Sequence, residues 1–196
     1  MTKPWPPAWP VRLGSLKIEL PLIRGENGFG IYAFDPMGRS NWNIAAAEAL
    51  AQRLAPYGFD IILAAESKSI ALAEQLARIL GQDDYVVLRK GQKLYMADPM
   101  VVDVKSVTTS RPQQFFLGRD QQDLLRGKRV CILDDVISTG GTLRAIYEFA
   151  RVLDFTVVAN ACVLTEEVSL ESFEGVPVVK LDHIPLPGFS EEMAGP

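Results

Sequence analysis

Residues 130–142, VCILDDVISTGGT, decide the reading of this chain: an apolar run, two adjacent carboxylates, and a Ser/Thr/Gly cluster that opens a helix. Val130, Cys131, Ile132 and Leu133 are continuously apolar and rich in β-branching, which suits a strand buried on both faces of a parallel sheet. Asp134 and Asp135 are expected to end it. Beyond Ser138, Thr139, Gly140, Gly141 and Thr142, the residues Leu143, Ile146, Tyr147, Ala150 and Leu153 recur at three and four residues, which predicts a helix. A glycine turn feeding a helix N-terminus is an anion site, because unpaired N–H groups and the positive end of the helix dipole converge there.

The same strand, loop and helix grammar extends on both sides. Residues 60–65 (DIILAA) read as a buried strand, 66–69 as a polar loop, and 70–80 as a helix stopped by Gly81. Residues 85–88 (YVVL) form a further short strand that delivers Arg89 and Lys90, with Lys93 just beyond. Residues 156–164 (TVVANACVL) are another buried strand, and 176–181 (VPVVKL) an edge strand, given Pro177. An alanine-rich helix over 43–54 takes Asn41 or Asn43 as its cap and ends at Pro56 and Gly58.

The remaining segments are less regular. Residues 92–119 carry weak strand signals between polar residues and prolines, so they are read as a lid, with a β-hairpin as one possible form. Residues 11–34 mix short β-type runs (16–20 and 30–34) with glycines, as in a small flap. The proline-rich start, with Trp5 and Trp9, is expected to be an extended, loosely held arm unless the tryptophans find a surface. The expected fold class is therefore α/β: a mainly parallel twisted sheet flanked by helices, with a small hood from the two ends of the chain. The expected division is an arm and flap over 1–35, a core over 36–165 with the lid at 92–119, and an edge strand and tail over 166–196.

Composition narrows the function. With 196 residues, 48% apolar, the chain can bury one core. A net charge of −4 argues against a general nucleic-acid or membrane-surface binder. No apolar run approaches the roughly 20 residues of a membrane span, and the first ten residues lack the apolar core of a secretory signal, so the expected location is cytoplasmic. Cys131 and Cys162 fall in buried strands, where free thiols are expected.

In a parallel sheet, ligands sit beyond the carboxyl ends of the strands, and the clusters at 66–69, 89–93 and 134–142 each follow a strand. One rim should therefore gather them. Carboxylates accept hydrogen bonds only, so the acidic pair suits vicinal hydroxyls or a metal's water shell, whereas the adjoining turn suits a phosphate. A ligand matching both carries a diol and a phosphate, as ribose 5-phosphate does. If the strand stays regular, the two acids point to opposite faces, and one serves the sugar while the other holds a metal's water or the backbone. Lys68, the hydroxyls of Ser67 and Ser69, and the cations Arg89, Lys90 and Lys93 offer a second phosphate site, against the alternative of a solvated charge run.

VCILDDVISTGGT closely resembles the phosphoribosyl pyrophosphate motif of the type I phosphoribosyltransferases, and residues 30–165 are most similar to the adenine phosphoribosyltransferase-like branch. AAESKSIALAEQLA resembles that branch's pyrophosphate loop and helix, VVLRKGQKL the following strand and basic segment, and SVTTSRPQQFFLGRDQQDLLRGKRV a lid returning to the motif. The resemblance implies displacement of pyrophosphate by a purine ring nitrogen. Asp134 and Asp135 would hold the ribose, directly or through hydrated Mg²⁺, and are the implied catalytic pair. Ser138, Thr139, Gly140, Gly141 and Thr142 would cradle the 5-phosphate, and Ser67, Lys68, Ser69, Arg89, Lys90 and Lys93 would grip the pyrophosphate. Around the base it points to Tyr32, Phe34, Val136 and Ile137, although the two rings equally suit the flap's own core. The implied cofactor is Mg²⁺, the partners are phosphoribosyl pyrophosphate and a purine, and the assembly is a homodimer.

Ser138 stands where 6-oxopurine enzymes often carry Asp, which favours adenine. Two departures pull the other way. The adenine enzymes' lid Glu–Tyr pair is replaced by Val107, Thr108, Thr109 and Ser110, and their aromatic–Arg–Asp triplet by Ala33, Phe34 and Asp35. His183, Glu166 and Glu167 read as ordinary loop residues. The competing functions are a 6-oxopurine enzyme and a non-catalytic sensor of phosphoribosyl pyrophosphate. The sensor would need a basic surface or an added nucleic-acid-binding unit that the sequence does not display. A receiver-type phosphoacceptor accounts for the acidic pair but not for STGGT.

Overall fold

The structure is a computed structural model that describes residues 5–24, 30–104, 113–166 and 170–187. Its centre is a six-stranded sheet. β4 (Ile61–Ala65), β5 (Val86–Leu88), β8 (Arg129–Ile137), β9 (Thr156–Thr165), β10 (Ser172–Phe173) and β11 (Val176–His183) lie in the order β10-β11-β9-β8-β4-β5. All pairs are parallel except β10 with β11. The strands at its centre read as unbroken apolar runs because both faces are covered. On one face Ile62, Ala64, Cys131, Leu133, Ala159 and Ala161 pack with α1 (Ser40–Leu54) and α2 (Ile70–Leu80). On the other, Ile61, Leu63, Val130, Ile132 and Cys162 pack with α4 (Gly141–Leu153) and with Leu125 of α3 (Arg119–Leu125). The expected α/β class is borne out. Among the described residues, no helix is long and apolar enough to cross a membrane.

Several local readings need correction. The described part of the proline-rich arm is docked: residues 8–13 form β1 (Ala8–Leu13), antiparallel to β2 (Leu16–Arg24), which pairs in turn with β3 (Gly30–Tyr32). Trp5 and Trp9 pack against the first core, joined there by the buried Val11, Leu13, Ile18 and Leu20 of the flap. The alternation of buried and exposed residues in β1 is that of a sheet with one covered face. α1 starts at Ser40, so Asn43 lies inside the helix and is not its cap. Its amide donates to Pro36 O (2.8 Å) and Arg39 O (3.0 Å). α3 was not anticipated, since its seven residues are too few for a clear period.

The lid does contain a hairpin, β6 (Met100–Val104) with β7 (Gln113–Leu117), rooted by Phe115 and Leu117 in the second core. Its segment at 107–110 lies outside the described residues. β11 is not the sheet edge, because the short β10 pairs beside Pro177. His183 is the last residue of β11, not a loop residue.

Candidate functional site

β8 does not stop at Leu133 but continues through both acids to Ile137. Asp134 is buried, and its Oδ1 accepts the Asp135 N–H at 2.9 Å. Burial, then the neighbouring Asp135 carboxylate, pushes the Asp134 carboxyl well above the usual range, with Lys90 drawing it partly back. Asp135 is less enclosed, and its Oδ2 lies 3.9 Å from Lys68 Nζ. The strand alternation thus gives the two acids different surroundings.

The turn after β8 closes on Gly140, whose φ of +75° favours glycine, and α4 starts at Gly141. Ser138 and Thr139 are exposed, a Cβ on Gly141 would meet only open space, and no acid stands in the first helical turn. Free amides, the helix dipole and the absence of a competing carboxylate give an open anion cradle.

The loop after β4 lies beside the acidic end of the motif strand. Lys68 spans the gap, donating to Phe34 O at 2.9 Å while lying near Asp135, so it ties flap, loop and motif strand together. The Glu66–Ser67 peptide is cis. Ser67 is exposed at the rim. Ser69 is fully buried and its hydroxyl donates to Ala65 O, so it braces the loop instead of facing a ligand.

Glu66, which sequence reasoning left without a role, organises the cations. Its Oε2 accepts the Lys90 N–H at 2.8 Å, and its Oε1 lies 3.7 Å from Arg89 Nη1 and 3.9 Å from Lys93 Nζ. Arg89 is held further by Tyr95 Oη at 3.2 Å and by a backbone bridge to Phe116 at the root of the lid. The available signal was a single acid at a strand end facing a basic strand end across a parallel pair.

The base-binding expectations divide. Tyr32 and Phe34 are core residues: Tyr32 donates its hydroxyl to Pro6 O at 2.9 Å, and Phe34 stacks on Trp42 at 5.9 Å between centroids. Neither ring is free to stack on a base. Ile137 also belongs to the core, in the cluster under α4, whereas Val136 is half-buried. Glu166 follows β9 and donates its N–H to Ile137 O, and Glu167 lies outside the described residues.

Among the described residues, no three His, Cys, Asp or Glu side chains gather as a metal cage. Asp135, the more open of the two acids, would suit a hydrated Mg²⁺, which keeps several waters and needs only one or two carboxylates beside a substrate's phosphates.

An acidic strand end thus runs into a glycine anion turn beside a cation-lined loop, an arrangement that suits a ligand carrying both a diol and phosphates. Residues 40–182 match the family model of the phosphoribosyl transferase domain, and the chain belongs to that family. Among its relatives is an adenine phosphoribosyltransferase of Xanthomonas campestris pv. campestris (strain B100), 33% identical over 127 residues. That match spans 65% of this chain but only 64% of the relative's length. The Gluconobacter oxydans (strain 621H) adenine phosphoribosyltransferase is 34% identical over 142 residues, covering 70% of this chain and 72% of that protein. In fold, the chain resembles the adenine phosphoribosyltransferase of Thermoanaerobacter pseudethanolicus, with a TM-score of 0.70 at 22% identity over 84% of this chain and 95% of that one. It also resembles the Saccharomyces cerevisiae enzyme, solved with an imino-altritol bisphosphate and adenine, with a TM-score of 0.66 at 23% identity over 83% and 93% of the two chains.

Proposed function

We propose that this chain is a purine phosphoribosyltransferase, moving the 5-phosphoribosyl group of phosphoribosyl pyrophosphate onto a purine with adenine favoured. The observation that carries the reading is the convergence, on one rim, of the acidic pair, the Gly140 turn and the cations gathered by Glu66. The names of the relatives support the choice of adenine.

In this mechanism the amides at 139–142 bind the 5-phosphate, and Asp135 accepts the ribose hydroxyls. Asp134, buried behind it, orients the strand end through its bond to the Asp135 N–H. Lys68, Arg89, Lys90 and Lys93, with Ser67, receive the pyrophosphate, while Ser69 braces their loop. Attack by the purine nitrogen at C1 expels pyrophosphate through a transition state with oxocarbenium character, so catalysis rests on positioning and on stabilising the leaving charge. Mg²⁺, if bound, would be held through water by Asp135 and would supply neutralising charge for the pyrophosphate. The hairpin of β6 and β7 would close over the site and exclude water. The same reading carries a homodimer and a cytoplasmic location, tested by sedimentation and by fractionation.

The deciding experiment supplies the protein with Mg²⁺, phosphoribosyl pyrophosphate and, separately, adenine, hypoxanthine, guanine or xanthine, and measures pyrophosphate release. Turnover is expected with adenine. Turnover with a 6-oxopurine alone would move the chain to the other branch, and donor binding without any turnover would make it a sensor.

A further inference from the structure

Resting on that reading, we propose that Arg144 and Phe173 form a positioning pair that sets the shape of the 5-phosphate turn from behind. The two residues come from different elements, α4 and the β10–β11 hairpin. Arg144 Nη1 donates to Thr139 O at 2.8 Å, and its guanidinium lies 5.7 Å from the centroid of the Phe173 ring. That ring presses on Gly140: a Cβ there would come within 2.6 Å of Phe173 Cε2. Two of these contacts fall on consecutive residues of the turn, and the third joins the two side chains to each other.

Their consequence is electrostatic as well as steric. A carbonyl turned into an anion site repels its ligand, and Arg144 occupies the Thr139 oxygen so that it stays turned away. Gly140 lies in the left-handed region, close against a ring that leaves no room for a side chain. Phe173 is itself fixed. The Tyr147 ring lies 5.7 Å from it, Tyr147 Oη donates to Phe173 O at 3.3 Å, and Asn160 Nδ2 donates to Val176 O at 3.3 Å across the same hairpin. Because the pair's contacts run to the turn, to α4 and to the β10–β11 hairpin, their influence should be confined to the 5-phosphate half of the site.

Two ligands separate the halves. The full-length protein and its Arg144→Ala, Arg144→Lys, Phe173→Ala and Phe173→Leu variants are titrated calorimetrically with ribose 5-phosphate and, separately, with pyrophosphate and Mg²⁺. Arg144→Ala should weaken ribose 5-phosphate by about five- to tenfold while leaving pyrophosphate within about twofold, and Arg144→Lys should recover part of the loss. Phe173→Leu should cost less than Phe173→Ala, and the double alanine variant should lose less than the two single losses combined. In turnover, KM for the donor should rise with kcat nearly unchanged. Equal weakening of both ligands would reduce the pair to general scaffolding, and unchanged ribose 5-phosphate binding would remove it from the site. If the unaltered protein binds neither ligand, the transferase reading fails first and the inference with it.

Discussion

The Glu66 carboxylate accepts the Lys90 backbone N–H at 2.8 Å, joining the turn after β4 to the turn after β5. With Arg89 and Lys93 near its other oxygen, one acid holds together a wall of cations that would otherwise repel one another. Here geometry and net charge make opposite predictions. Removing the acid raises the local positive charge, which alone would tighten pyrophosphate binding. It also frees Arg89 and Lys93 from their common anchor. Glu66→Ala is expected to weaken pyrophosphate by about tenfold, because positioning dominates, and to lower stability by about 1–3 kcal/mol through loss of a charge-assisted hydrogen bond. Calorimetric titration and urea unfolding read the two effects, and tighter pyrophosphate binding would mean that the wall acts by charge alone.

Tyr32 and Phe34 give a second prediction, since burial assigns them to the core and not to a base. Tyr32→Phe should cost about 1 kcal/mol of stability by deleting the hydroxyl's bond to Pro6 O. Phe34→Leu should cost about 1–2 kcal/mol by spoiling the stack on Trp42. Both variants should keep the wild-type KM for the base. A raised base KM without loss of stability would return these rings to the pocket.

How much of this was legible beforehand follows from where the information lies in the chain. The strand at 61–65 and the helix at 70–80 were readable because an apolar run, a polar loop and a terminal Gly81 are local signals. The anion turn was readable for the same reason. By contrast, Ser69 looks like a ligand in sequence, and only the fold shows its hydroxyl spent on Ala65 O. The arm misled because Pro4, Pro6, Pro7 and Pro10 suggest loose chain, while Trp9 and Val11 find the core only once β2 is alongside. Glu66, Arg144 and Phe173 act through partners 24, 5 and 33 residues away, so only the fold exposes their roles.

Gly140 yields a third prediction. Its φ of +75° disfavours any side chain, and an added methyl would also collide with the Phe173 ring. Gly140→Ala should therefore lose about 1–2 kcal/mol from backbone strain, with a further loss from the collision. Adding Phe173→Ala should relieve the collision but not the strain, so the double variant should lose less than the sum of the two single losses. Chemical unfolding of the four proteins reads this coupling, and strict additivity would show that ring and glycine do not meet.

Asp134 gives the last prediction, and its sign follows from proton linkage. Its carboxyl is buried with Asp135 beside it, so its folded pKa stands above that of the unfolded chain. From about pH 4, the ordinary carboxylate value, up to the raised value, the folded protein keeps a proton that the unfolded chain has released. Stability from this group is thus complete below the window, falls as pH rises through it, and stays lost above. Asp134→Asn carries the same shape without a proton to lose. The variant should match the wild type near about pH 4 and exceed it in Tm near about pH 8. Thermal melts of ligand-free protein across that range make the comparison. If the variant's advantage instead shrank as pH rose, an unrecognised cation would be holding Asp134 charged, and the acid would stand in the site as an open ligand and not as the buried support of Asp135.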